Sequence, residues 1–278
     1  MSANTNSTDK PGRVSAAIVY LTIVFLLMPL LAIVPVSFTG TRYLSMPKGN
    51  WSLRHYEALL TNPIWLDSIK LSLGIAVASA AISTVLAVMF GLGLWYVRNR
   101  FSTMLAALVF LPMVMPPVVS AIILYFFETS LIDVAPWIGF DSIGGVILAH
   151  VVVATPFALV TFMVSLSQID KRIDMAARGL GASLWQSIFW IILPNARFGI
   201  ISAAFFAFIL SWEEISVTLF ITSFNVVTLP RQMWNGMRDN VDPAIAAISV
   251  ILISLTVIGI LCRDLWRWQR ARAVAKVA

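Results

Sequence analysis

The sequence predicts an all-α, polytopic membrane protein with six transmembrane helices. Its composition is 59% hydrophobic and 12% charged, with a mean hydropathy of +0.89, outside the range of ordinary soluble domains. Its apolar residues gather into six runs, each near the roughly 20 residues an α-helix needs to cross the hydrocarbon core. Its basic residues lie mostly between those runs, where they act as topology signals rather than as a nucleic-acid surface, despite a net charge of +6.

The runs cover about residues 15–38, 68–97, 103–127, 143–168, 198–222 and 243–265. The first follows the polar stretch "MSANTNSTDKPGR", which has no A-x-A-like cleavage site. The run is also too long for a signal peptide, so it is expected to remain as a span. The loop after it contains "WSLRHYEALLTNPIW", where Leu53, Tyr56, Leu59 and Leu60 suit a short amphipathic helix on the membrane surface. "VRNRFS" (Val97 to Ser102) separates the second run from the third. Pro112, Pro116 and Pro117 in the third run and Pro156 in the fourth free backbone carbonyls and permit kinks. His150, in the fourth run, is expected to be a hydrogen-bonded packing residue, since a polar group there needs a partner.

With the N-terminus in the cytoplasm, 13 of the 19 basic residues fall in cytoplasmic segments. Arg42, Lys48, Arg54, Lys70, Arg231 and Arg238 fall outside. This split places both termini inside. The tail "RDLWRWQRAR" then reads as an anchor meeting anionic headgroups. The single cysteine, Cys262, excludes an intramolecular disulfide, and two distant histidines, His55 and His150, do not suggest a zinc site. No glycine-rich phosphate loop and no Ser-His-Asp arrangement is present, so no enzyme is expected, and any ATP is bound by another chain.

Two segments interrupt the apolar pattern. The first, Asp174 to Pro194, reads "DMAARGLGASLWQSIFWIILP". Ile173, Ala176, Ala177 and Leu180 share one helical face. Gly181 suits a sharp helix end, Ser183 can cap a second helix, and Pro194 marks its end or a kink. The basic-residue distribution puts this helix–turn–helix on the cytoplasmic side, either packed on its own bundle or docked on a partner. The second is "SWEEIS", with Glu213 and Glu214 inside the fifth run. A charge near the bilayer centre costs at least about 2.5–3.5 kcal/mol on insertion scales, so these acids must face protein, water or a counter-charge. Trp212 beside them can offer a cation–π face.

The first segment resembles the "EAA…G………I-LP" signature loop of ABC-transporter permease subunits, with Ala176, Ala177, Gly181, Ile191, Leu193 and Pro194 at the family spacing. "MPPVVSAIILYFF", "AHVVVATPFALV", "DMAARGLGAS" and "SWEEISVTLFIT…VVTLP" are similar to the polyamine (spermidine/putrescine) branch of type I importers. One residue departs from the pattern. The family glutamate falls on Met175, and Asp174 stands one position earlier, about 100° around the helix.

The resemblance implies one permease domain over residues 1–278, with about 171–194 as a coupling-helix loop. Asp174, Ala176, Ala177, Arg178, Leu180, Gly181 and Ala182 would couple it to two ATP-binding subunits, which hold the ATP and Mg. This chain would bind no cofactor. The resemblance further implies a second, similar permease, a periplasmic or lipoprotein solute-binding protein, and residence in a bacterial inner membrane. Trp212, Glu213 and Glu214 would line the path of a small cationic solute such as a polyamine. The alternatives are import of another small solute (an opine, amino-acid-like molecule, phosphonate or iron complex), or a self-contained secondary carrier using Glu213 and Glu214.

Overall fold

The computed structural model describes residues 12–97, 99–239 and 242–275, with backbone alone for Arg13, Asp239 and residues 270–275. Lys10, Arg98 and Lys276, which contribute to the predicted orientation, lie outside the described residues. In chain order the α-helices are α1 (Arg13–Ser37), α2 (Arg54–Thr61), α3 (Pro63–Tyr96), α4 (Arg100–Val114), α5 (Pro117–Ser130), α6 (Ile143–Ser167) and α7 (Lys171–Gly179), then α8 (Leu184–Ser187), α9 (Leu193–Asn195), α10 (Arg197–Glu213), α11 (Ser216–Ile221), α12 (Leu229–Asp239) and α13 (Ala244–Ala275). One turn of 3₁₀-helix (Pro136–Ile138) precedes α6, and a π-helical turn (Ile188–Ile192) joins α8 to α9.

Four helices hold segments long and apolar enough to cross a membrane as they stand: 14–37, 63–96, 143–167 and 244–269. Two bent pairs, 100–114 with 117–130 and 184–195 with 197–213, bring the number to six. The six-span, all-α class therefore holds, but two spans are not the continuous helices expected. The third breaks at Met115–Pro116 with a bend of 108°. Pro116 is the N-cap of α5 and Pro117 its first residue, positions where a missing N–H does no harm. The other pair bends by 70° between 184–195 and α10, and the run 198–222 is itself interrupted, because α10 ends at Glu213 and α11 starts at Ser216.

The described residues form two compact units, those of 12–63 with 235–239 and 242–275, and those of 64–97 with 99–234. In the first, α13 packs against α1 and α2. The helix expected after the first span is present as α2, and Leu53 is its N-cap. His55 and Leu59, four apart, point inward, while Leu53 and Leu60 are exposed. The His55 ring bonds the Thr41 carbonyl, and Tyr56 bonds Ser37, so polar contacts to the preceding loop set the face.

The second unit is held by small residues. Ala80 and Ala87 of α3, Ala154 and Ala158 of α6, and Ala203 and Ala207 of α10 are all buried in one cluster around Leu159, Phe162, Leu166 and Ile192. Between lipid-embedded helices the drive comes from close van der Waals packing, which small side chains allow. Gly199 shows how close: a Cβ there would lie 2.3 Å from that of Ser165. A second cluster joins α3, α5, α6 and α11 through Ile75, Ala121, Leu124, Val146, Ala149, Val217 and Ile221.

Candidate functional site

Two places in the second unit carry the chemistry, and each is a helix interruption. The first runs from α7 to α9. Asp170 caps α7, its carboxylate accepting from the Arg172 N–H at 2.9 Å. The helix ends in a Schellman motif. The Ala182 N–H reaches the Ala177 carbonyl, the Gly181 N–H reaches that of Arg178, and Gly181 takes φ +93°, the left-handed geometry glycine adopts at this position. Ser183 and Gln186 then form a reciprocal capping box for α8. The π-helical turn ahead of Pro194 accommodates the missing N–H. The helix, glycine turn and capped second helix are thus where the residues suggested.

The orientation of α7 is inverted relative to an ordinary amphipathic helix. Its buried residue is charged: Asp174 is 6% exposed. Its apolar residues face outward, with Leu180 91% and Met175 62% exposed, and Ile173 exposed as well. Ala176 and Arg178 are also exposed, and Ala177 and Ala182 are half-buried. The Asp174 Oδ1 accepts hydrogen bonds from the Tyr96 hydroxyl (2.9 Å) and the Ser187 hydroxyl (2.5 Å). Lys171 donates to the Trp95 carbonyl at 2.8 Å and lies over that indole ring at 5.0 Å. It thereby caps one of the last carbonyls of α3 with a cation, the favoured charge at a helix C-terminus.

The second place is the break between α10 and α11. Glu214 leaves helical geometry (ψ 114°), and its Oε1 accepts from the Val217 N–H at 2.8 Å, satisfying an orphan amide of α11. At the other end of α11, Arg231 donates to the carbonyls of Ser223 (2.8 Å) and Thr218 (3.5 Å). Glu213 is exposed and makes no hydrogen bond or ion pair among the described residues. Trp212, half-buried beside it, stacks on Phe208 with centroids 6.1 Å apart. The two adjacent acids therefore differ: one closes a helix end and the other is exposed.

The break is held by His150, which is 2% exposed. Its Nδ1 lies 2.7 Å from the Ser211 Oγ on α10 and its Nε2 lies 3.0 Å from the Thr218 Oγ1 on α11. All groups are satisfied when Nε2–H donates to Thr218 and Ser211 donates to Nδ1, leaving the Thr218 proton for the Glu214 carbonyl at 3.2 Å. Asp141 performs a similar task beyond the end of α11. It sits at φ +57° and accepts from the backbone N–H groups of Ser223, Phe224, Asn225 and Val226. Burial pushes its carboxyl up, but those four donors outweigh it and hold the group below the ordinary carboxylate value.

Sequence reasoning missed the partners of these groups. Tyr96 and Ser187 carry no motif, and Tyr96 lies 78 residues from Asp174. It also missed Glu128, which falls just past the third apolar run. The structure buries it fully beside Gly139 and Gly145, with neither carboxyl oxygen hydrogen-bonded among the described residues.

Residues 83–267 match the family described as binding-protein-dependent transport system inner membrane component. The chain is 29% identical over 248 residues to the putrescine transport system permease protein PotI of Escherichia coli (strain K12), covering 87% of this chain and 86% of that protein. It is 30% identical over 225 residues to a probable molybdenum ABC transporter permease protein of Haloferax volcanii, covering 79% and 83%. Among solved structures it resembles a bacterial ABC transporter involved in the import of the acidic polysaccharide alginate, with a TM-score of 0.69 and 16% identity, over 92% of this chain and 94% of that one. The chain therefore belongs to the family of inner-membrane components of binding-protein-dependent transport systems, and it is a multi-pass permease subunit of an importer.

Proposed function

We propose that this permease forms half of the membrane path for a small cationic solute of the polyamine class, with Glu213 as its pathway acid. The observation that carries this is the broken fifth span. An exposed, unpaired carboxylate stands at the break beside a half-buried tryptophan, while its neighbour Glu214 is occupied by an amide of α11. Discontinuous membrane helices place irregular backbone where it lines a cavity rather than lipid. A carboxylate and an indole face together suit an ammonium group. The relatives' names do not select the cargo, because a putrescine permease and a molybdenum permease lie at nearly equal identity. The acid supports a cation, since an anion would be repelled there.

In this proposal Trp212 and Glu213 contact the solute, and Glu214 with His150 holds the break open. The exposed face around Ile173, Met175, Ala176, Leu180 and the Gly181 turn docks on an ATP-binding subunit. Arg178 stands at its rim, and the half-buried Ala177 and Ala182 support it. Two such subunits, carrying the ATP and Mg, a second similar permease and a solute-binding protein complete the importer. The chain itself catalyses nothing and lies in a bacterial inner membrane. The distribution of basic residues supports cytoplasmic termini.

The test is uptake of radiolabelled putrescine by cells carrying the full complex, competed with cationic, zwitterionic and anionic solutes. Glu213→Gln should weaken putrescine uptake about tenfold or more, the scale of a lost hydrogen bond to a charged group. Glu214→Gln keeps an acceptor for Val217 and should change it far less. Equal effects of the two variants, or uptake competed best by anions, would refute the assignment.

A further inference from the structure

Resting on that proposed function, we infer that Asp174 is a positioning residue that fastens the coupling helix to the end of α3, so that movement of α7 is delivered to that span. The obvious alternative is that Asp174 replaces the glutamate missing at Met175 and pairs with the ATP-binding subunit. Its placement opposes this. Asp174 is 6% exposed, and its Oδ1 is held by two hydroxyls from within the chain, Tyr96 on α3 and Ser187 on α8. Met175, where the family carries charge, is 62% exposed and neutral. The docking face of this chain is therefore apolar, and its acid works behind that face.

The tie is built of two parallel contacts between consecutive residues of α3 and residues three apart on α7. Lys171 caps the Trp95 carbonyl and covers its ring, and Asp174 accepts from Tyr96. The Trp95 and Tyr96 rings meet edge to face, 4.7 Å apart. Positions i and i+3 lie on one face of a helix, so both contacts lie on the side of α7 that meets the last turn of α3. Ser187 brings α8 to the same oxygen. A hydrogen bond to a buried carboxylate is stronger than one between neutral groups, and three elements sharing a single acceptor cannot shift independently without leaving it unsatisfied. Displacement applied to the outward apolar face of α7 then moves α3 with it, as a rigid-body switch requires.

The experiment uses the complete importer in proteoliposomes, with putrescine as the transported probe, and three variants: Asp174→Asn, Tyr96→Phe and their combination. Three quantities are measured: the ATP-binding subunit retained by the affinity-purified permease, ATP hydrolysis, and putrescine moved per ATP hydrolysed. Retention should stay within about twofold of the unaltered chain, because the docking face is unchanged. Putrescine moved per ATP should fall about tenfold in each single variant, and no further in the combination, as expected for two partners of one contact. Tyr96→Phe keeps the ring and its packing, so a drop there cannot be ascribed to misfolding. Two results overturn the inference. One is an unchanged transport-to-hydrolysis ratio in both single variants. The other is loss of the ATP-binding subunit in Asp174→Asn with Tyr96→Phe fully normal, which would place Asp174 at the dock itself. Failure of the unaltered chain to retain any ATP-binding subunit would defeat the underlying transport assignment instead, and the inference with it.

Discussion

Replacement of Gly181 separates backbone strain from crowding at the turn after α7. Gly181 occupies φ +93° at the turn that closes α7, and a Cβ built there meets nothing within 4 Å. The penalty for a side chain is therefore conformational and not steric within this chain. Left-handed geometry costs an ordinary residue about 1–2 kcal/mol, and up to about 3 kcal/mol where the side chain tolerates it least. Asparagine adopts it more readily. If the strain is relieved by leaving the docked geometry, each 1.4 kcal/mol removes about tenfold of the competent population. Putrescine uptake should then fall in the order Gly, Asn, Ala, Val, with alanine down about five- to thirtyfold and valine at or below detection. The assay is uptake by the full complex, normalised to permease in the membrane. Normal uptake in Gly181→Val would refute the role of the turn. An asparagine variant as inactive as the valine one would also refute the strain account, since it would mean that the partner presses directly on the backbone.

His150→Ala should lower stability in detergent by about 2–4 kcal/mol, since it strands two buried hydroxyls and leaves a void; thermal unfolding reads it, and an unchanged midpoint would refute the hub. Gly199→Ala should destabilise by about 1–3 kcal/mol through overpacking against Ser165, and Ser165→Gly in the same chain should restore most of the loss. Asp141 has a depressed folded pKa, so its contribution is present above the unfolded value near 4 and lost as pH falls through the lower folded value. Asp141→Asn should therefore be less stable than the parent at pH 6, and the difference should shrink on acidification below about pH 4; a constant difference across that range would refute the charge-based account.

The spans were legible because hydropathy reports burial in lipid directly, and the helix–turn–helix after α6 was legible because its turn and cap are local. Gly181 and Ser183 both act within six residues of themselves. What escaped was non-local or invisible to hydropathy. The run 198–222 is apolar on both sides of its break, and only the adjacent acids hinted at an interruption. The outward apolar face of α7 contradicts the usual rule that such a face turns inward, because its buried side is fixed by a carboxylate whose partner, Tyr96, arrives from another span. The inward turn of His55 on α2 escaped for a similar reason: its ring finds the Thr41 carbonyl, and hydrophobicity alone gave that residue no weight.

Six ionisable groups of the second unit can be sorted by what already satisfies them. Asp174 is held by two hydroxyls, Asp141 by four amides, His150 by two hydroxyls and Glu214 by an amide of α11. Each joins segments that would otherwise part at a helix end, where backbone groups lack helical partners. Two of the six, Glu128 and Glu213, lack such partners among the described residues. Glu128 is enclosed at 0% exposure, so no solute can reach it. Glu213 is exposed, at the break, beside an indole. A solute-binding role requires a group that is both unsatisfied and accessible, and of these six only Glu213 meets both conditions. The same sorting explains why Glu214, identical in type and adjacent in sequence, is expected to behave differently on neutralisation: its amide partner needs an acceptor, which glutamine still provides, whereas an ammonium ion needs the charge.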